Sequence, residues 1–206
     1  MGKITGIYLA AGHSRRMGVN KLALPLKHSN VGSLGLDNAL NTRLDDMIVV
    51  VKKEDCLDWI NPVVKEKTKR GRWMLVRCGA ENQGQAESLK TGVRQAIKLQ
   101  SDAIVIMLAD QPFVTAEMIE NLMSRYERFN PLYVASRFQG IIQPPVLFSS
   151  SVFPALLKLK GDQGARSLFE DYQISPGSFI DYKDERLLFD VDDMKDYKKA
   201  KKYSTS

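Results

Sequence analysis

ITGIYLAAGHSRRMGVNKLALPL, running from Ile4 to Leu26, is the stretch whose reading decides the fold. Ile4 to Ala10 is almost continuously apolar, the pattern of a strand covered on both faces rather than on one. It ends in Ala11-Gly12 and passes into a loop of small and basic residues. Small residues let the backbone approach a ligand closely, and free N–H groups in such a loop hold phosphate oxygens. Ser14 adds a hydroxyl donor, and Arg16 and Lys21 bring fixed positive charge for the same oxygens. The Walker A pattern GxxxxGK[ST] is not met, because five residues separate Gly12 from Gly18 and Lys21 stands three further on. The dinucleotide fingerprint GxGxxG is absent too. On chemistry alone, the alternative to phosphate binding is a glycine turn carrying a solvated basic loop.

Outward from this loop the alternation of strand and helix repeats. Met47 to Val51, Trp73 to Cys78 and Ala103 to Leu108 read as buried strands, and Leu132 to Ser136, Pro145 to Phe148 and Phe179 to Tyr182 as shorter ones. Between them, Ala86 to Leu99 places Leu89, Val93, Ala96 and Ile97 on one helical face. Thr115 reads as an N-cap, with Glu117 in the first turn and Met118, Ile119, Leu122, Met123 and Tyr126 as the apolar stripe. Asp193 to Tyr203 reads as a terminal helix. This order predicts an α/β fold with a mostly parallel sheet covered on both faces, and 206 residues suit one domain over 1–206. In such sheets the ligand lies beyond the carboxyl ends of the strands, which singles out the residues after Ala10, Cys78 and Leu108.

Composition excludes several classes. Hydrophobic residues are 44% and charged residues 26%, so the chain is globular rather than disordered. No run approaches the ~20 apolar residues of a membrane span. Ile7 to Ala11 is too short for a signal peptide and leads into Gly12-His13-Ser14-Arg15-Arg16, so the expected setting is cytoplasmic. The two cysteines form no CxxC and the only histidines are His13 and His28, which excludes a zinc or redox motif. Cys56 and Cys78 are expected to be buried, reduced thiols. The net charge of +6 owes much to two basic clusters, Lys65 to Arg72 and Lys195 to Lys202. Either these are solvated surface or they attract an anionic ligand. Neither carries the aromatic interleaving of an RNA-binding surface, so no nucleic acid partner is expected.

A second candidate follows the apolar strand ending at Leu108, in Ala109-Asp110-Gln111-Pro112-Phe113-Val114. A carboxylate at a strand's carboxyl end beside a phosphate loop is placed to hold Mg2+. Triphosphate chemistry needs that cation, because charge accumulates on the leaving pyrophosphate. Taken alone, Asp110 equally reads as a cap or turn aspartate before Pro112, in either case exposed at the strand end. Gly84 to Gly92 opens the helix after the third long strand. There Gly84 permits a close approach, and Ser88, in the first turn near the positive helix end, reads as a ligand contact or a plain cap.

The pattern LAAGxSxRMGxxKLxLPL, from Leu9 to Leu26, resembles the signature of nucleotidyltransferases related to the molybdenum cofactor guanylyl- and cytidylyltransferases. That family includes accessory proteins of xanthine dehydrogenase maturation. The match runs through Leu9, Ala10, Ala11, Gly12, Ser14, Arg16, Met17, Gly18, Lys21 and Pro25, while His13 and Arg15 fall on variable positions. The resemblance implies a Rossmann-like, GT-A-like three-layer sandwich whose first loop wraps a nucleoside triphosphate. It gives nucleotide binding to Leu9, Ala10, Ala11, Gly12, Ser14, Arg16, Lys21, Gly84 and Ser88, and catalysis to Arg16, Lys21 and Asp110. LxDQPxV, Leu108 to Val114, is similar to the motif of the cytidylyltransferase branch in which the aspartate binds magnesium, and GxxxSLxxG, Gly84 to Gly92, to the segment beside the base.

Leu-Ala-Ala-Gly stands where the guanylyl branch usually has Leu-Ala-Gly-Gly. The added methyl narrows the space for a purine, so the resemblance favours CTP. QPPVLF (Gln143 to Phe148), GDQGAR (Gly161 to Arg166) and DVDDMKDY (Asp190 to Tyr197) also resemble segments of the cytidylyl branch. In related enzymes a late aspartate reaches the metal, which implies Asp190, with Asp192 behind it; the other reading of this acidic cluster is a cap on the last helix. Two segments depart from the family pattern. Lys27 to Ser33 replaces a Gly-Lys-Pro turn, leaving the start of the next helix open, and Asp193-Met194 replaces Thr-Pro. The implied reaction is Mg2+-dependent transfer of CMP from CTP to the phosphate of molybdopterin or the molybdenum cofactor, with an apo-molybdoenzyme such as xanthine dehydrogenase as a further partner. Two other functions stand beside it: transfer to a sugar or polyol phosphate, and carriage of the pterin cofactor without chemistry. A carrier would have no need of the set Arg16, Lys21 and Asp110.

Overall fold

A computed structural model describes residues 2–12, 17–68, 73–79, 84–171 and 177–204. Its centre is a seven-stranded sheet of order β5-β4-β1-β6-β8-β7-β9. These strands are β1 (Ile4–Leu9), β4 (Asp46–Lys52), β5 (Trp73–Cys78), β6 (Ala103–Leu108), β7 (Tyr133–Phe138), β8 (Ile141–Ser149) and β9 (Gly177–Asp181). β5, β4, β1 and β6 run parallel, as do β7 and β9, while β8 runs against both β6 and β7. The sheet is thus mostly parallel, as the strand and helix order predicts.

The central strands β1, β4 and β6 are almost continuously apolar because both faces are covered. Tyr8, Met47, Val49, Val105 and Met107 point to one core, where α1 (Val31–Leu40), α2 (Pro62–Thr68), α4 (Ala116–Phe129) and α7 (Met194–Tyr203) add Leu36, Val64, Ile119 and Ala200. Ile7, Leu9, Ile48, Val50 and Ile106 point to the other, where α3 (Gln85–Lys98), α5 (Phe153–Leu156) and α6 (Ser167–Asp171) add Leu89, Phe153 and Leu168. The period-2 alternation of a strand therefore deals its apolar residues to two layers of helices, giving three layers in all.

Local signals act as chemistry requires. The Thr115 hydroxyl accepts from the Met118 N–H at 3.2 Å, and Met118, Ile119, Leu122, Met123 and Tyr126 are all buried. Asp193 caps α7 by accepting from the Lys195 and Asp196 N–H groups, while Asp196 reaches back in a capping box. The departure from Thr-Pro thus keeps an N-cap. The segment Lys27 to Ser33 also resolves: β2 (Pro25–Leu26) and β3 (Ser29–Asn30) form a small antiparallel hairpin, and α1 starts directly after it at Val31.

Two expectations are corrected. Ile97 is 46% exposed, because it lies in the last turn of α3, past the Leu89, Val93 and Ala96 contact with the sheet. Cys56 is exposed, because it sits in the loop after β4 rather than on a strand or helix; Cys78 is buried as expected, and both thiols are free.

α3 lies unusually close to β1 at Gly92, where an added Cβ would come 2.6 Å from Cγ2 of Ile7. Overpacking of that kind costs ~1–3 kcal/mol, against the ~1 kcal/mol that alanine gains over glycine in a helix. Gly92→Ala is therefore expected to lower the urea midpoint despite its better helix propensity; a raised midpoint would show that α3 moves off β1 freely.

Candidate active site

Three separate parts of the chain meet at the carboxyl ends of β1 and β6. Backbone hydrogen bonds set their register: Ala109 N–H donates to Leu9 O at 3.0 Å, and Val191 N–H donates to Asp110 O at 2.9 Å. The second bond carries the segment Asp190 to Asp192 onto the end of β6. Lys21 comes from the third part, a short 3-10 turn over Lys21–Ala23 that Asn20 caps by accepting from the Leu22 N–H.

The Lys21 side chain is buried, and its ammonium donates to Asp110 Oδ2 at 2.7 Å and to Asp192 Oδ1 at 3.1 Å. Burial opposes its charge, but Asp110 first and Asp192 after it outweigh burial and hold the Lys21 pKa above the usual lysine value. Asp110 is therefore not a bare strand-end carboxylate, as expected from sequence, but the half-buried partner of a buried cation. Asp190 lies beside this pair. Its Oδ1 is shielded from solvent and makes no hydrogen bond. Burial, then the charges of Asp110 and Asp192, push its carboxyl up to about 7, with Gln111 and Lys21 acting in the opposite sense.

A cleft of about 590 Å³ opens next to this cluster, lined by Ala10, Gly12, Gly18, Asn20, Lys52, Glu54 and Cys56 among others. Leu9 and Ala10 are buried, Ala11 is half-buried, and Gly12 is exposed with open space where a side chain would stand. Ser14 and Arg16 lie outside the described residues. Gly84 and Ser88 stand apart from this lining. The close approach that Gly84 permits is that of Gly161 and the Asp162 side chain; the Gly161 carbonyl also accepts from the Ala86 N–H at 3.1 Å. The Ser88 hydroxyl donates to Gln85 O at 2.9 Å, inside its own helix.

One wall of the cleft escaped the sequence reading. It is the segment after β4, fixed by Arg77, whose guanidinium donates to the carbonyls of Lys52, Lys53 and Asp55 at 3.2, 2.6 and 3.0 Å. The signal was available: Lys52-Lys53-Glu54-Asp55 follows three valines at the carboxyl end of a strand, where ligands bind. Gln111 likewise does more than turn the chain. It is 1% exposed, and its amide donates to Leu188 O at 3.4 Å, tying the end of β6 to the segment before Asp190.

Among the described residues, no three His, Cys, Asp or Glu side chains gather as a ready-made metal site. Mg2+ asks for less: one or two carboxylates, with phosphate oxygens and water completing the shell. Asp110 and the unbonded oxygen of Asp190 are oxygen donors of that kind, so the residues present fit such a cation.

A loop of small residues, a buried lysine and clustered carboxylates gather beyond the carboxyl ends of parallel strands, where α/β proteins bind their ligands. Residues 6–176 match the MobA-like NTP transferase domain, and the chain belongs to this family of nucleotidyltransferases. It is 42% identical over 195 residues to the purine catabolism protein PucB of Bacillus subtilis, across 94% of each chain. Among solved structures it is similar to Rv0371c of Mycobacterium tuberculosis H37Rv, with a TM-score of 0.81 and 25% identity over 98% of each chain. The manganese complex of Rv0371c gives a TM-score of 0.73 at 23% identity, over 97% of this chain and 98% of that one. The fold is shared with a 4-diphosphocytidyl-2C-methyl-D-erythritol synthase from Anaerococcus prevotii, at a TM-score of 0.76 and 16% identity, over 100% of this chain and 97% of the other.

The raised carboxyl of Asp190 has a consequence for stability. The folded state holds this proton more tightly than the unfolded chain does, so ionisation costs stability as pH climbs from the usual 3.8 to about 7, and the full cost stands above that. Asp190→Asn removes it. The variant is expected to melt a few degrees higher than the parent at pH 8, the shift that ~1 kcal/mol produces in a chain of this size, and at the same temperature at pH 4. A lower melting point at pH 8 would contradict the like-charge crowding.

Proposed function

We propose that the protein transfers CMP from CTP to the phosphate of molybdopterin or the molybdenum cofactor and releases pyrophosphate, as a single domain over 1–206. The observation that carries the reading is the Lys21 ammonium, which joins the turn over Lys21–Ala23 to Asp110 just past the end of β6. The Leu-Ala-Ala-Gly and LxDQPxV motifs support a cytidylyl donor. Similarity to PucB supports a role in purine catabolism, through maturation of a molybdoenzyme of the xanthine dehydrogenase type, which would be the further partner. Among the described residues no helix is long and apolar enough to cross a membrane, and a cytoplasmic setting belongs to the same proposal.

In this reading an acceptor phosphate oxygen attacks the α-phosphorus of CTP in line, the bond from that phosphorus to the bridging oxygen breaks, and pyrophosphate leaves with the electron pair. Leu9, Ala10, Ala11, Gly12 and Ser14 hold the nucleotide through the loop, with Gly84 and Ser88 towards the base. Arg16 and Lys21 neutralise its phosphates. Asp110 and Asp190 hold Mg2+, which when bound supplies charge stabilisation on the phosphate oxygens. No cysteine or histidine stands at a matched position of the motifs, so the reading makes catalysis positioning plus electrostatics.

The deciding experiment is pyrophosphate release with CTP or GTP, each paired with molybdopterin, with a polyol phosphate, or with no acceptor. The expected outcome is turnover with CTP and molybdopterin exceeding that with GTP by ~10-fold or more, the discrimination a pocket wall gives against an oversized group. Equal use of GTP would overturn the cytidylyl assignment. Turnover with the polyol phosphate alone would move the acceptor. Pterin binding without any turnover would make the protein a carrier.

A further inference from the structure

The cleft wall after β4 is a short return path. The chain leaves the sheet at Lys52 and re-enters the core at Trp59 and Ile60, both buried. On the way, Lys52, Glu54, Asp55 and Cys56 line the cleft. Local bonds shape the path: Asp55 N–H donates to Lys52 O at 3.2 Å, and Leu57 N–H to Asp55 Oδ1 at 2.7 Å. Leu57 stands at φ 61°, a left-handed conformation that leucine rarely adopts. Such a conformation persists only where surrounding contacts over-determine it.

Arg77 supplies contact from outside the loop. It pairs in register with Val51, so its side chain starts level with the end of β4. One guanidinium nitrogen, Nη1, then reaches the carbonyls of Lys52, Lys53 and Asp55, the nearest at 2.6 Å. A cationic donor makes stronger hydrogen bonds than a neutral one. Further along the path, Asp58 Oδ1 accepts from Asn20 Nδ2 at 3.0 Å, and Asn20 both lines the cleft and caps the turn over Lys21–Ala23. The wall is thus tied at its start to β5 and near its end to the loop after β1.

We infer that Arg77 is a positioning residue for the cleft, acting through the backbone of residues 52–55 to hold the wall in the shape that a nucleotide binds. A wall ordered beforehand spares the ligand the entropy of ordering it, so the effect falls on affinity. The wall carries none of the groups that the proposed function sets on the phosphates or the cation, so the chemical step is left alone. The inference rests on that reading for the identity of the ligand, but the ordering of the wall is testable without one.

Arg77→Met keeps an unbranched apolar stem and removes the donors. In hydrogen exchange, the Asp55 and Leu57 amides are expected to exchange about tenfold faster, the worth of one hydrogen bond to a charged group, with the amides of β1 unchanged. Arg77→Lys, whose ammonium keeps a charge and three donors, is expected to restore most of the protection. In pyrophosphate release, Arg77→Met is expected to raise the KM for CTP about tenfold with kcat nearly unchanged, and Arg77→Lys to recover most of the loss. Unchanged exchange in Arg77→Met would overturn the inference, and a raised KM beside it would mark long-range attraction by the charge instead. Faster exchange with unchanged KM would make the contact purely structural, and a fall in kcat alone would move its action to the chemical step; either overturns the inference. A wild-type chain with no nucleotide-dependent turnover would sink the proposed function and leave the exchange arm to decide whether Arg77 orders the wall.

Discussion

The contact between the Lys21 ammonium and Asp110 is the constraint around which the site is built. It ties the loop after β1 to the end of β6, and through Asp192 it draws in the segment before α7. Such a pair is weak evidence for stability, because taking two charges out of water costs as much as their attraction returns. Its value lies in position. An ammonium held beside the loop after β1, with a carboxylate next to it, is the arrangement that the proposed transfer at phosphorus would use. The cost shows in Asp190, whose carboxyl is raised to about 7 by burial and by the two neighbouring aspartates.

The sheet explains why these groups meet at all. β1 lies between β4 and β6 and runs parallel to both, so their carboxyl ends open on one edge of the molecule. The cleft forms there between the loop after β1 and the segment after β4. Helices cover both faces of the sheet, so neither face is free for a ligand. Among the described residues the candidate site is left to loops, which a rigid scaffold presents. The hydrogen bonds from Arg77 to the last carbonyl of β4 and to two carbonyls beyond it show how that scaffold also shapes a loop.

Much of the scaffold was legible in the chain. Trp73 to Cys78 and Ala103 to Leu108 read as strands with the bounds the structure gives, because short, largely apolar runs between turn residues have few other uses. The Thr115 cap and the stripe from Met118 to Tyr126 followed from helix periodicity alone. What failed was set by packing rather than pattern. The exposure of Ile97 depends on where α3 leaves the sheet, and the exposure of Cys56 on the course of a loop. At the site, Asp110 and Lys21 were each singled out by motif, yet their pairing spans 89 positions and that of Lys21 with Asp192 spans 171. No local periodicity encodes a contact of that range. It also decides which of Asp190 and Asp192 keeps an unbonded oxygen, a distinction that two aspartates two residues apart do not carry in sequence.

The account turns on Asp110 and Asp190 serving a cation while Lys21 serves phosphate. The most direct measurement is a crystal structure with Mn2+ and a CTP analogue that resists transfer, read from the anomalous signal of the metal. The account predicts a metal peak within bonding distance of Asp110 and Asp190, with the Lys21 ammonium on a phosphate oxygen. A metal peak away from both aspartates, or a triphosphate bound outside the cleft lined by Ala10 and Gly12, would contradict it.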